Sequence, residues 1–78
     1  MFYERARDIE HRLEQTLKLI REGEYSTPAL AERLGVSVPT VSRCITALRQ
    51  RGYAIRSVRR TRQWAFELVS EPAAATPA

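Results

Sequence analysis

Three helices followed by a two-stranded antiparallel hairpin, an α+β domain that is mostly α, is the fold class that the sequence predicts. Three observations carry it. Each of the three glycines follows a stretch with apolar residues at helical spacing, where a residue of positive φ ends a helix at least steric cost. The segments Thr27-Pro28 and Ser37-Val38-Pro39 each place a hydroxyl at an N-cap and a proline in the first turn, where its missing N–H does no harm. After Gly52 the apolar period changes from helical to alternating, as a half-buried strand requires.

The first helix ends at Gly23 and carries Phe2, Ala6, Ile9, Leu13, Leu17 and Ile20 on one stripe. Two short helices and a hairpin can cover about three of its turns, from Leu13 to Ile20, so residues 1–11 are expected to project as a helical extension. The second helix is expected over about Pro28 to Leu34, with Thr27 as N-cap and Gly35 as terminator, and the third over about Val38 to Arg51, between Ser37 and Gly52. A strand follows over about Tyr53 to Arg59, with Tyr53 and Ile55 on one face; Val58 breaks the alternation, as a bulge or twist near the turn would. Arg60-Thr61-Arg62 connects it to the second strand and, lacking Gly, Asn and Asp, specifies no turn type. In that strand Trp64, Phe66 and Leu68 point one way and Gln63, Ala65 and Glu67 the other. The two aromatics are expected to pin the hairpin onto the third helix rather than to stack on bases. The folded domain is thus residues 12–69, and residues 70–78, without a large apolar side chain, form a disordered tail or linker.

A chain of 78 residues holds one small domain with a thin core and no deep substrate cavity. Its 44% hydrophobic and 28% charged content excludes both a membrane span and a fully disordered polymer. Thirteen basic against nine acidic residues give +4, and twelve of the bases are Arg, whose planar fork suits phosphate, so a polyanionic partner is indicated. One Cys forms no internal disulfide, and one His beside it is too few for a zinc site. No metal, other cofactor, membrane contact or small-molecule ligand is expected, and the location is expected to be cytoplasmic. Signal sensing would then fall to another domain, a partner or a modification. No carboxylate pair, nucleophile and base, or glycine phosphate loop stands at a useful spacing, so no catalysis is expected. His11 reads as a surface imidazole, and Cys44 as a small core hydrophobe rather than a redox sensor.

Between Thr27 and Thr46 run Leu30-Ala31-Glu32-Arg33-Leu34-Gly35-Val36-Ser37 and then Thr40-Val41-Ser42-Arg43-Cys44-Ile45. A small Ala31 allows close helix crossing, Gly35 takes the positive φ of the turn, Val36 plugs the corner, and Val41, Cys44, Ile45 and Leu48 face inward. This segment resembles the helix-turn-helix of bacterial repressors, and with the hairpin the chain is similar, over about Arg12 to Val69, to the winged helix-turn-helix family. The resemblance implies a bacterial transcriptional regulator that lays its third helix in the major groove of duplex DNA and its wing on a flanking groove or phosphate chain. Charge placement agrees independently. Residues 1–37 sum to −1 and residues 63–78 to −2, whereas residues 38–62 hold seven arginines and no acid.

Helical geometry turns Val38, Pro39, Thr40, Ser42, Arg43 and Thr46 outward. Base contacts are expected from Val38, Pro39, Thr40 and Arg43. Arg43 is the leading reader because a guanidinium bonds guanine O6 and N7 together, a phosphate contact being its alternative role. Thr27, Ser37, Ser42 and Thr46 are the candidate phosphate contacts, although Thr27 and Ser37 are also expected as caps in any protein with these helices. Arg59, Arg60, Thr61 and Arg62 form the wing contact. Phe2, Ala6, Ile9 and Leu13 would pack against their mates in a homodimer, the alternative being a monomer with a frayed first turn. Two other functions fit the same residues: a winged-helix interaction module for an acidic protein, and a sequence-indifferent architectural DNA-binding protein.

Overall fold

The computed structural model describes the backbone of residues 2–72 and the side chains of residues 7–72. The order is α1 (Phe2–Glu22), α2 (Thr27–Leu34), α3 (Val38–Gln50), β1 (Ala54–Arg59) and β2 (Trp64–Ser70), with the strands paired antiparallel. These are the three helices and hairpin of a winged helix-turn-helix.

Local chemistry sets most of the boundaries. Ser37 caps α3 with its Oγ accepting from the Thr40 N–H at 3.3 Å, as expected. At α2 the cap is Ser26 and not Thr27: Ser26 is extended and its Oγ accepts from the Ala29 N–H, so Thr27 occupies the first helical position and Pro28 the second. Proline is tolerated at either place because neither N–H has a partner within the helix. At the other end of α2, Gly35 is left-handed (φ 69°), its N–H reaches the Glu32 carbonyl, and the Val36 N–H reaches that of Ala31 at 3.0 Å. That pair of bonds is the Schellman closure, which satisfies carbonyls the helix leaves open. A Cβ built at Gly35 meets nothing within 4 Å, so substitution there is opposed by backbone strain alone. Gly35→Ala is expected to cost about 1 kcal/mol and Gly35→Asn less, read as shifts of the urea midpoint at constant slope.

The core joins every element. Leu13, Leu17, Leu19 and Ile20 of α1 meet Leu30 and Ala31 of α2, Val41, Cys44, Ile45 and Leu48 of α3, and Ile55 of β1. Cys44 lies in this core, 6% exposed. Leu13 does too, at 4%, which removes it from any surface through which α1 could meet a second copy. The buried face of α1 is wider than the single stripe, because Thr16 and Leu19 are also covered. Thr16, with no exposed surface, satisfies its hydroxyl on the Arg12 carbonyl at 2.7 Å.

The hairpin departs from the expected alternation. Register pairs Ile55 with Leu68, Ser57 with Phe66 and Arg59 with Trp64 on one face, and Arg56 with Glu67 and Val58 with Ala65 on the other. Ala65 is 1% exposed on the face expected to be solvated, while Trp64 is 54% exposed and does not pin the hairpin to α3. Two contacts border this stretch. β2 is flanked on its second edge by the α1–α2 connection, where the Phe66 N–H donates to the Tyr25 carbonyl at 2.9 Å. Arg56, Glu67 and Arg60 form an ion-pair network on the Ala65 face. The register irregularity lies between Ala54 and Ile55, at the root of the hairpin and not at Val58. Residues 70–72, expected in the tail, are held on the domain: Ser70 ends β2, Glu71 pairs with Arg21, and Pro72 abuts Gly52 so closely that a Cβ there would lie 3.0 Å from the proline ring.

Candidate nucleic-acid interface

The outer edge of α3 is open. Val38 is 44% exposed, and Pro39, Ser42, Arg43 and Thr46 are exposed beside it. Thr40 is half-buried, and its hydroxyl shares a 3.0 Å hydrogen bond with that of Ser37, so both hydroxyls already serve the cap. Thr27 is likewise half-buried at the start of α2. Arg43 makes no ion pair among the described residues and stays available to an anion.

The seven arginines of residues 38–62 do not act as one block. Arg49 donates through Nε and Nη2 to the Ile55 carbonyl, at 3.2 and 2.8 Å, and so clamps the end of α3 to β1. Arg51 forms a two-pronged pair with Glu10. Its hydrogen bonds hold the Glu10 carboxyl below the usual carboxylate range. Arg56 pairs with Glu67 at 2.7 Å. Arg60 donates through Nε to the Gly23 carbonyl at 3.2 Å and lies 3.5 Å from Glu67, which ties the wing to the end of α1. The middle of the chain contains no acid, yet folding brings Glu10 and Glu67 to it from outside. Arg43, Arg59 and Arg62 are left without a carboxylate among the described residues.

The wing tip is a four-residue loop, Arg60 to Gln63, closed by the Arg60 N–H on the Gln63 carbonyl at 2.7 Å. Thr61 and Arg62 are exposed on it. Arg59, at the last register pair before the loop, lies over the Trp64 ring with 5.7 Å from guanidinium carbon to centroid. Sequence reasoning passed over one further cation near α3. Arg12 of α1 lines a groove of about 320 Å3 together with Ile9, Leu13, Thr40, Arg43, Cys44 and Ala47. Nothing local in the sequence marks Arg12, because its place depends on how α1 crosses α3. Ile9 is 48% exposed in the same groove. Phe2 and Ala6, the other two candidate dimer residues, lie outside the described side chains. His11 is exposed, no group of three or more His, Cys, Asp or Glu able to hold a metal occurs among the described residues, and no helix among them is long and apolar enough to cross a membrane.

A tri-helical domain with a glycine turn between α2 and α3, an open α3 edge carrying an arginine without a carboxylate partner among the described residues, and an arginine-bearing hairpin defines a DNA-binding protein of the winged helix-turn-helix class. The chain belongs to the HTH domain family, whose model matches residues 12–61. No curated protein and no solved structure matches it. The matched span runs from α1 into the wing-tip loop and so takes in Arg12, Arg43, Arg59 and Arg60.

Proposed function

We propose that the protein is a transcriptional regulator that binds duplex DNA with α3 in the major groove and the wing on a flanking groove or phosphate chain. One observation carries the reading: of the seven arginines of residues 38–62, those on the open edge of α3 and at the wing tip have no carboxylate partner among the described residues, whereas the others are absorbed by Glu10, Glu67 and backbone carbonyls. In this reading Arg43 meets a base edge, with Val38 and Pro39 as apolar neighbours suited to a thymine methyl. Ser42 and Thr46, both exposed, meet phosphates. Ser37 and Thr40 contribute mainly by fixing the start of α3, and Thr27 stands at the first position of α2, where its N–H has no partner within the helix. Arg59 and Arg62 carry the wing contact, and Arg60 holds the wing in place. Association into a homodimer through α1 rests on exposed Ile9 among the described residues. Sedimentation of the intact chain and of a version lacking residues 1–8 tests it, since equal monomer masses would remove the dimer.

Salt titration tests the main reading. Arg12, Arg43, Arg59 and Arg62 could neutralise about four phosphates per protomer, for which log K falls against log salt with a slope of about −4, doubled in a dimer. A flat response on duplex DNA would instead favour a module for an acidic protein. A steep response that is equal on every duplex drawn from a random pool would favour an architectural protein.

A further inference from the structure

Trp64 is unexplained by the fold. It is 54% exposed, yet it lies on the same face of the hairpin as Ile55, Phe66 and Leu68, which pack against the core. At the tip the opposite face is the covered one, with Ala65 1% exposed and Arg60 on the Gly23 carbonyl, so this face is left open with an indole and, directly across the strand pair, a guanidinium stacked on it. Three features of this pair point to a ligand. Arg59 has no carboxylate partner among the described residues, so its charge is uncompensated, and Arg62 beside it in the tip loop is likewise unpaired. The tip is also held against the body, by Arg60 on the Gly23 carbonyl and by the Phe66 N–H on the Tyr25 carbonyl. A stacked, splinted cation loses little freedom on meeting its target. Moreover, Trp and Arg, with Tyr, are the side chains enriched among the few residues that dominate binding energy at interfaces.

We infer that Trp64 and Arg59 form a contact site for the sugar-phosphate wall of duplex DNA, the indole lying on the apolar C–H face of deoxyribose while the Arg59 guanidinium pairs with the adjoining phosphate. The chemistry of the pair matches that alternation: an apolar plate beside a fixed positive charge meets an apolar sugar beside a fixed negative one. The site is separate from the base-reading edge of α3. It sets affinity and register rather than sequence choice. It also gives the Arg60 tether a role, since release of the tether would let the plate swing away from the surface that α3 presents. This inference rests on the duplex-binding reading above, and its test separates the two.

Trp64 is the one tryptophan in the chain, so its fluorescence reports this site alone. Binding itself is followed independently, by anisotropy of a labelled mixed-sequence duplex two helical turns long, at low salt. On saturation with that duplex, acrylamide quenching of Trp64 is expected to fall about threefold, because a desolvated contact excludes the quencher. Trp64→Ala is expected to weaken duplex binding about two- to fivefold through loss of the stacked plate, and Trp64→Phe to recover most of it. Circular dichroism of each variant is expected to match that of the parent, since the ring is half-exposed. Anisotropy that reports binding while quenching stays unchanged and Trp64→Ala binds as the parent does would overturn the site and leave the proposed function standing. Absence of any anisotropy change would remove both. Stronger shielding by the single strand than by the duplex would also overturn it, since the site would then be stacking on free bases.

Discussion

Leu30→Ala is expected to lower the free energy of unfolding by about 2–5 kcal/mol, the range for removing a fully buried leucine from a core that only partly collapses. Leu30 has no exposed surface, and α2 is only eight residues long with Leu30 and Ala31 as its buried residues. A helix of that length has no stability apart from its packing, because nucleation is unfavourable below about 12–15 residues. Truncating Leu30 therefore removes most of what holds α2 in place. A domain of this size has only about 4–12 kcal/mol in total. The variant should sit near its unfolding midpoint at physiological temperature, visible as a large fall in the urea midpoint and as lost helix signal on mild warming. DNA binding should fail along with it, since α2 sets the angle at which α3 is presented. A loss below about 1 kcal/mol would mean that α2 is not anchored through this side chain.

Arg43→Ala has the second-largest expected effect, and it falls on recognition rather than on stability. The side chain is exposed and unpaired among the described residues, so unfolding should change by no more than about 0.5 kcal/mol. If Arg43 bonds guanine O6 and N7, its removal erases about 1–3 kcal/mol of discrimination at one position. Binding to the preferred duplex then falls toward that of the mismatched ones, while the salt slope is nearly unchanged. A phosphate contact gives the opposite pattern, a uniform loss on all duplexes and a salt slope shallower by about 1. Comparing the variant with the parent on a preferred duplex and on versions altered one base pair at a time distinguishes these results.

The two sites differ in how far sequence reasoning reached them. The exposed edge of α3 followed from helical spacing, and Val38, Pro39, Ser42, Arg43 and Thr46 are open as that spacing requires. The wing did not follow so closely. Alternation in β2 assigned Trp64 to the covered face and Ala65 to the solvated one, whereas the first is exposed and the second buried. The alternation of side chains along the strand was read correctly; what covers each face was not. Period-two arguments assume one face against the core and one against water, and that assumption fails where the second face is itself covered, as it is at Ala65.

Arginines show the same division. Seven of them in residues 38–62 with no acid among them is a fact of sequence. That Arg51 finds Glu10, 41 positions away, and that Arg60 reaches the Gly23 carbonyl, 37 positions away, is not. These pairs depend on which segments are brought within a few ångströms.

Helix ends, caps and the change of period were written in neighbouring residues, because a left-handed glycine, a capping hydroxyl and a proline act within one turn of the chain. Ser26 in place of Thr27 is the single boundary at which two adjacent hydroxyls left that choice open. Leu13 in the core, Arg12 beside Arg43, and the division of arginines into those that brace the fold and those left free all came from packing. Burial and long-range charge pairing depend on distances through space, and residue order constrains those only after the helices have docked.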